Sequence, residues 1–144
     1  MKFEKIPLIM PNLVKLNLSL NENDLHQGFD KLRSIEYEEN VYRNGPLFYK
    51  ISEDDKNNPV RNIEFYMPIS EIPENFPYET IELLKIDDSI EMRQADLEPN
   101  LTTVREKIAM YAQETYARKL GSEMYCVYID LYNEVLIDVY IPMV

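Results

Sequence analysis

The sequence predicts an α+β fold made of two consecutive βαββ units in one domain. The chain has 144 residues, a length typical of one domain with a sizeable core. The order strand, helix, strand, strand can be assigned twice along it. The pattern acid, apolar residue, tyrosine, apolar residue, proline occurs at Glu64–Pro68 and again at Asp138–Pro142. These observations indicate an internal repeat of about 70 residues, with the shared pattern in the last strand of each copy.

The first unit is predicted over about residues 12–70. Residues 12–20 alternate between apolar and polar side chains, which is typical of a strand with one buried face. Asn21 is a suitable helix cap, and the apolar residues that follow recur at helical spacing, so a helix is predicted over 22–38. Two further strands are predicted at 47–53 and 61–69.

A connector is predicted over 70–79, where Pro73 and Pro77 interrupt strand pairing. The second unit then covers about residues 80–144.

The second unit begins with a strand that is predicted to bend at 87–88. Asn100 is a suitable cap for a helix over 101–120, and Gly121 suits the C-terminal end of that helix. A hairpin across 133–134 completes the unit. Near its start the chain also has a short apolar segment containing two prolines, which is predicted to be a leading strand or arm rather than a signal peptide.

In the order of these elements, and in its closing segment VLIDVYIPM, the sequence resembles the GyrI-like (gyrase-inhibitor-like) effector-binding domains. The resemblance covers roughly residues 12–144. It implies one curved antiparallel sheet with two helices on one face and a groove between the halves. Such domains occur alone or attached to bacterial transcription regulators, and this chain resembles a stand-alone member. Their grooves commonly carry aromatic side chains and an acidic residue that receive cationic or apolar ligands.

Strand alternation predicts which side chains would line such a groove. If the apolar residues of the two repeated motifs face the helices, their acids and tyrosines face away. In the strand over 125–132, the odd-numbered residues are predicted to face the helices and the even-numbered residues to face away. The predicted ligand-binding residues are Phe48, Glu64, Tyr66, Tyr128, Asp130, Tyr132, Asp138 and Tyr140.

Tyrosine rings and carboxylates can together hold a cation. The alternative is that these tyrosines cover a solvent-exposed sheet face, with their hydroxyl groups in water.

The formal net charge of −11 opposes binding to phosphate backbones and anionic membranes. Direct binding to nucleic acid or membrane is therefore not predicted, and cationic small molecules or basic proteins are the favoured partners. No apolar run reaches the roughly 18 residues of a membrane span. The single Cys126 cannot form an intramolecular disulfide, which favours a reducing, cytoplasmic location.

No enzyme activity is predicted. The three glycines are too widely separated to form a phosphate-binding or dinucleotide-binding loop. One histidine, His26, and one cysteine are too few for a structural zinc site, and no metal, cofactor or catalytic residue is expected. Some GyrI-like proteins are hydrolases, so the resemblance leaves general-base chemistry by Glu64 or Asp138, with a tyrosine partner, as an alternative.

Two functions fit the sequence. The first is a non-enzymatic binding domain for a small lipophilic or cationic ligand. The second is an acidic protein-binding module, such as an immunity protein that neutralises a basic secreted toxin. The oligomeric state is not predicted.

Overall fold

The computed structural model describes residues 2–95, 100–131 and 134–144, with the backbone alone at 94, 95, 131 and 134. Over these residues the chain forms two α-helices, eight strands and two short 3-10 turns. The helices are α1 (Leu25–Glu38) and α2 (Leu101–Tyr116). The strands are β1 (Phe3–Lys5), β2 (Leu8–Leu20), β3 (Phe48–Ser52), β4 (Arg61–Pro68), β5 (Glu79–Ile86), β6 (Ser89–Ala95), β7 (Glu123–Leu131) and β8 (Glu134–Pro142).

These strands form one antiparallel sheet in the order β1-β6-β8-β7-β3-β4-β2-β5. The run β3-β4-β2 mirrors the run β7-β8-β6, and β3 pairs with β7 in the middle. Each run comes from one succession of strand, helix, strand and strand along the chain. The predicted α+β fold of duplicated βαββ units in one sheet is therefore confirmed.

The sheet is strongly curved. In the strand order β1 and β2 are six spacings apart, which would be roughly 29 Å in a flat sheet. Along the chain, however, only three steps separate Lys5 from Leu8, and these span at most about 11 Å. The segment 3–20 consequently runs beside the segment 79–95, with β1 paired to β6 and β2 paired to β5.

Both helices lie on one face of the sheet, and the main core lies beneath them. Ile63, Phe65 and Met67 of β4 are buried there, as are Val139 and Ile141 of β8. This facing was predicted from the alternation in the two repeated motifs, and it is confirmed.

The opposite face carries a second apolar cluster, which we call the opposite-face cluster. Its buried members are Leu8, Leu13, Phe48, Tyr66, Tyr125 and Val127. Because the sheet curves, apolar residues of β2 and β5 pack against those of β3, β4 and β7. This face is therefore closed at its centre, where Tyr66 is only 2% exposed.

The predicted facing of β7 is wrong. Cys126 and Tyr128 belong to the core under the helices, whereas Tyr125 and Val127 lie in the opposite-face cluster. Side chains on both faces of this strand are apolar or aromatic, so alternation alone did not determine its facing. Pairing with β3 determines it, since Cys126 lies opposite Tyr49, which is itself in the core under the helices.

Both predicted helix caps are present. The side-chain oxygen of Asn21 accepts a hydrogen bond from the Asn23 N–H at 3.0 Å, and that of Asn100 accepts one from the Thr102 N–H at 3.0 Å. Asn21 caps the 3-10 turn Glu22–Asp24 that leads into α1.

The predicted C-terminal end of α2 is wrong. The helix ends at Tyr116, and Ala117 takes the left-handed conformation with φ of 53°. The Ala117 N–H donates to the Gln113 carbonyl at 3.0 Å, which closes the last turn. The following residues join the C-terminal strand instead, and the Gly121 N–H donates to the Pro142 carbonyl at 2.7 Å.

Helix α1 lies very close to the sheet at Gly28. A Cβ on this residue would come within 3.0 Å of three ring atoms of Phe65. Phe65 is fully buried and packs edge-on against Phe29, with ring centroids 5.5 Å apart. The absence of a side chain at Gly28 therefore sets the spacing between α1 and β4.

Candidate functional site

A cleft of about 760 Å³ lies on the helix-bearing side, between the two βαββ units. We call it the inter-unit cleft. The first unit contributes the start of α1, β3 and the segment up to β4, and the second contributes the start of α2, β7 and β8. Its volume is within the range of small-molecule sites. The apolar and aromatic lining residues are Leu25, Tyr49, Ile51, Leu101, Met124, Tyr128 and Ile137.

Two aromatic residues, Tyr49 and Tyr128, belong to this lining, and Phe29 packs against both. The Tyr128 ring packs against Phe29, with centroids 5.0 Å apart, and against Tyr49 at 5.8 Å. Phe29 and Tyr49 lie 6.1 Å apart. The Tyr49 and Tyr128 rings present polarisable surface to anything that enters the cleft, and such surface suits aromatic or cationic groups.

The polar atoms at the base of the cleft stay protonated at neutral pH. Burial raises the pKa of Tyr49 well above its usual value, and its hydroxyl is hydrogen-bonded with the side chains of Cys126 and Tyr128. Burial likewise raises the pKa of Cys126 to about 12. Neither group is activated as a nucleophile or base.

Arg61 is the buried charge at the rim of the cleft, at 5% exposure. Its guanidinium binds Glu22 and the backbone oxygen of Ser52, and its Nε donates to Asp55 Oδ1 at 3.1 Å. These bonds tie the first 3-10 turn and the loop after β3 to the start of β4.

A second set of ion pairs completes the rim. Glu53 is paired with Lys56 at 3.0 Å and with Arg105 of α2 at 3.4 Å. When Arg61 and its two carboxylate partners are counted with these three residues, the rim has three carboxylates and three cations. The charges of the described rim residues therefore cancel.

A second cavity of about 620 Å³ lies along α1, next to the inter-unit cleft. We call it the α1 side cavity. Its lining includes Phe29 and Leu47, with Ile129 and Val135 from the β7–β8 hairpin. Tyr128 lines this cavity as well as the inter-unit cleft.

Most residues predicted to bind a ligand lie on the other face of the sheet. In the first unit, Phe48 and Tyr66 stack with centroids 4.7 Å apart. The Tyr66 hydroxyl donates to Glu64 at 2.9 Å, and Glu64 is paired with Lys15 at 3.0 Å and with Lys50. Desolvation disfavours the charged form of Glu64, but the bonds from both lysines outweigh it and lower its pKa. The negative charge of Glu64 is therefore already paired with the two lysines.

The second unit has a different arrangement at the equivalent place. Asp138 is buried and receives two hydrogen bonds from Arg93, at 2.8 and 3.1 Å. Glu91 lies beside it, and burial together with the charge of Asp138 raises the pKa of Glu91 to about 7. Burial also raises the pKa of Tyr140 to about 12.

The predicted site residues therefore do not form one group. On the opposite face lie Phe48, Glu64, Tyr66, Asp138 and Tyr140. On the helix-bearing side lie Tyr128 and Asp130, both of which line the α1 side cavity. Tyr132 is outside the described residues.

Sequence reasoning missed Tyr49, Met124 and Arg61 as lining residues. Tyr49 had a usable signal, since it shares the face of Ile51 in an alternating strand and so points towards the helices. Arg61 had none, because its partner Glu22 is distant in sequence.

Among residues 2–95, 100–131 and 134–144, no group of three or more His, Cys, Asp and Glu side chains could hold a metal ion. Within the same part of the chain, no helix is long and apolar enough to cross a membrane.

No protein-family model and no curated protein matches the sequence. Solved structures do match. The crystal structure of the EcmrR C-terminal domain superposes with a TM-score of 0.70 at 10% identity, over 100% of this chain and 99% of that chain. EcmrR in a cryo-EM structure of its DNA complex gives 0.65 at 11% identity, over 98% of this chain and 57% of that chain. The structure of SAV2435 bound to tetraphenylphosphonium superposes with a TM-score of 0.51 at 13% identity, over 100% of this chain and 94% of that chain. At these identities the likeness concerns the fold.

Proposed function

Because the chain has the fold of the GyrI-like effector-binding domains, we propose that it is a non-enzymatic domain that binds a small apolar or lipophilic cationic ligand. The observation that carries this proposal is the inter-unit cleft, which has the size of a ligand site and an aromatic and aliphatic base. Both units line it, as expected of a groove between two halves.

SAV2435 was solved bound to tetraphenylphosphonium, a lipophilic cation. For this chain the same compound is a suitable probe of ligand class, since its phenyl groups match the aromatic lining formed by Tyr49 and Tyr128.

Apolar contact, rather than a local charge, is expected to supply most of the affinity. The described rim charges cancel, so a cation gains little there. The net charge of −11 still attracts cations from a distance. Salt weakens that attraction, because the screening length falls from about 10 Å at 0.1 M salt to about 3 Å at 1 M.

Titration calorimetry with tetraphenylphosphonium and tetraphenylborate tests the proposal, since the two ions have nearly the same shape and opposite charge. We expect the phosphonium to bind and to be preferred at 0.1 M sodium chloride. At 1 M we expect that preference to shrink to within about threefold, because only the screened field distinguishes the ions. Absence of binding by both ions at both salt concentrations, with no change in melting temperature, would overturn the proposal.

A cleft-blocking variant tests the location. Thr102 is exposed at the start of α2 and lines the inter-unit cleft. We expect Thr102→Trp to weaken phosphonium binding by more than tenfold, because the indole occupies the mouth of the cleft. Thr102→Ala is the matched control and should bind like the unmodified protein, with both variants keeping its melting temperature. Unchanged binding by the tryptophan variant would place the site elsewhere.

The residues of the opposite face are the second proposed location for the same function. A ligand there would have to enter beside Tyr140, which is half-buried, because Phe48 and Tyr66 are closed against each other. Tyr140→Ala would then weaken binding by on the order of 1–3 kcal/mol, the range for an aromatic anchor, whereas Thr102→Trp would have no effect.

The alternative function is recognition of a basic protein, such as a toxin that this chain neutralises. One acidic segment favours it. Tyr37 is 89% exposed and lies between Glu36 and Glu38 in the chain, and Tyr42, which is 73% exposed, follows three residues after Glu39. Exposed tyrosines among carboxylates are suited to a basic protein surface.

The product of a toxin-like reading frame beside the gene, where the genome has one, is the partner to test. Submicromolar binding that weakens with salt, and that Tyr37→Ser reduces at least tenfold, would support neutralisation. A neighbouring product that does not bind would contradict it.

We assign no catalytic residue, in keeping with the raised pKa values of Tyr49 and Cys126. We also propose a cytoplasmic location, which a buried free thiol at Cys126 favours.

A further inference from the structure

We propose that Tyr128 is a partition between the inter-unit cleft and the α1 side cavity, and that it determines the length of ligand the protein accepts. This inference rests on the proposed ligand-binding function. It identifies a residue that controls specificity and a ligand class for the joined space: an elongated amphiphile with an aromatic head and an apolar tail.

The geometry places Tyr128 between the two spaces. It lines both cavities, and no other described lining residue is common to the two. On one side its neighbours in the lining include Met124 and Ile137, and on the other side they include Leu47 and Val135. Apolar side chains therefore lie on both sides of the ring, among polar and charged residues that also line each space.

The ring is held in this position from several directions. It packs against Phe29 at 5.0 Å and lies edge-on to Tyr49 at 5.8 Å. Its hydroxyl is hydrogen-bonded with that of Tyr49. The Tyr128 N–H donates to the Leu47 carbonyl at 3.1 Å, which fixes the backbone beneath the ring. A side chain held in this way forms a wall rather than a freely rotating group.

Removal of the ring should join the two spaces, whose volumes are about 760 and 620 Å³. In the unmodified protein, a head group in the inter-unit cleft would have its tail stopped by Tyr128 and turned towards solvent. Without the ring, the tail could continue along α1 into the side cavity. Each methylene buried there should then increase the affinity about fourfold.

The test uses alkyltriphenylphosphonium ions with butyl, hexyl and octyl tails, below their micelle-forming concentrations. These probes share one charge and one head group, so the slope of affinity against tail length isolates the tail. We expect a shallow slope, less than about twofold per methylene, for the unmodified protein and for Tyr128→Phe, which keeps the ring. For Tyr128→Ala the slope should approach about fourfold per methylene.

Equal slopes for Tyr128→Ala and Tyr128→Phe would refute the partition, while binding of the butyl compound would leave the proposed function standing. Absence of binding to the unmodified protein for all three compounds would refute the proposed function itself. If Tyr128→Ala does not fold, Tyr128→Leu is used, and its slope must exceed that of Tyr128→Phe or the inference fails.

Discussion

Replacing Gly28 with alanine should destabilise the protein, although the same change in an ordinary helix stabilises it. Gly28 lies within α1, and alanine is favoured over glycine there by about 1 kcal/mol. The opposing effect comes from Phe65, because the new Cβ would lie within 3.0 Å of three of its ring atoms. Ordinary contact begins near 3.4 Å, so the ring or the helix must move.

The magnitude depends on whether the Phe65 ring can move. Its neighbours are Phe29 at 5.5 Å and Tyr49 at 6.1 Å, and all three rings are buried, so little free space is available. Overpacking of a filled core typically costs about 1–3 kcal/mol. The upper part of that range applies, because several ring atoms overlap. Subtracting the gain in helix propensity leaves an expected loss of about 1–2 kcal/mol.

Thermal and urea unfolding measure this loss. Gly121→Ala is the control, since a Cβ there would lie at ordinary contact distances of 3.4 Å from the Pro142 oxygen and 3.6 Å from Val144, and its stability should stay within about 0.5 kcal/mol. Adding Phe65→Leu to Gly28→Ala should cost less than Phe65→Leu alone, because the smaller side chain relieves the overlap. A Gly28→Ala variant more stable than the unmodified protein would refute the close approach of α1 to β4.

Three further predictions concern the ion pairs and the opposite face. Glu91→Gln should raise the free energy of unfolding by about 1–2 kcal/mol at pH 8 and leave it unchanged at pH 4, because folding raises the pKa of this carboxyl from 4.5 to about 7 and its ionisation therefore destabilises the folded state. Equal effects at both pH values in urea titrations would contradict this. Arg61→Ala should lower the free energy of unfolding by about 2–4 kcal/mol, because it leaves Asp55 without its buried partner, and a loss below about 1 kcal/mol in chemical unfolding would show that the network is not formed. Tyr66→Ala should cost about 3–4 kcal/mol in calorimetric melting, as much as Phe65→Ala, since both rings are buried, whereas a much smaller loss would mean that Tyr66 is an accessible groove residue.

The element order was predictable because each local signal agreed with the fold. The cap at Asn100, the bend at 87–88 and the alternation around Glu64 and Asp138 are all properties of short segments, and the structure contains each of them. The repeat of the five-residue motif then predicted the duplication.

The C-terminal end of α2 was not predictable, because contacts distant in sequence determine it. Several residues after Tyr116 are good helix formers, yet Gly121 is hydrogen-bonded to Pro142 and Leu120 pairs with Met143 in a β-bridge. Pairing with the last strand thus outweighs local helix propensity.

The location of the cleft was not predictable for a related reason. Strand β7 offers apolar or aromatic side chains on both faces, and only its register against β3 places Tyr128 under the helices. The curvature that buries Tyr66 and Phe48 also depends on pairing between the two edges of the sheet. Alternation within one strand contains no information on strand register or on the curvature of the sheet.

Methyl NMR of the methionines tests the central claim most directly. Met124 lines the inter-unit cleft, Met10 packs in the opposite-face cluster, and Met110 is exposed on α2. With tetraphenylphosphonium added to protein carrying ¹³C-methyl methionine, we predict that ring currents shift the Met124 signal, while those of Met10 and Met110 stay in place. A shift of Met10 with Met124 unchanged would contradict the account, because it would place the ligand on the opposite face of the sheet.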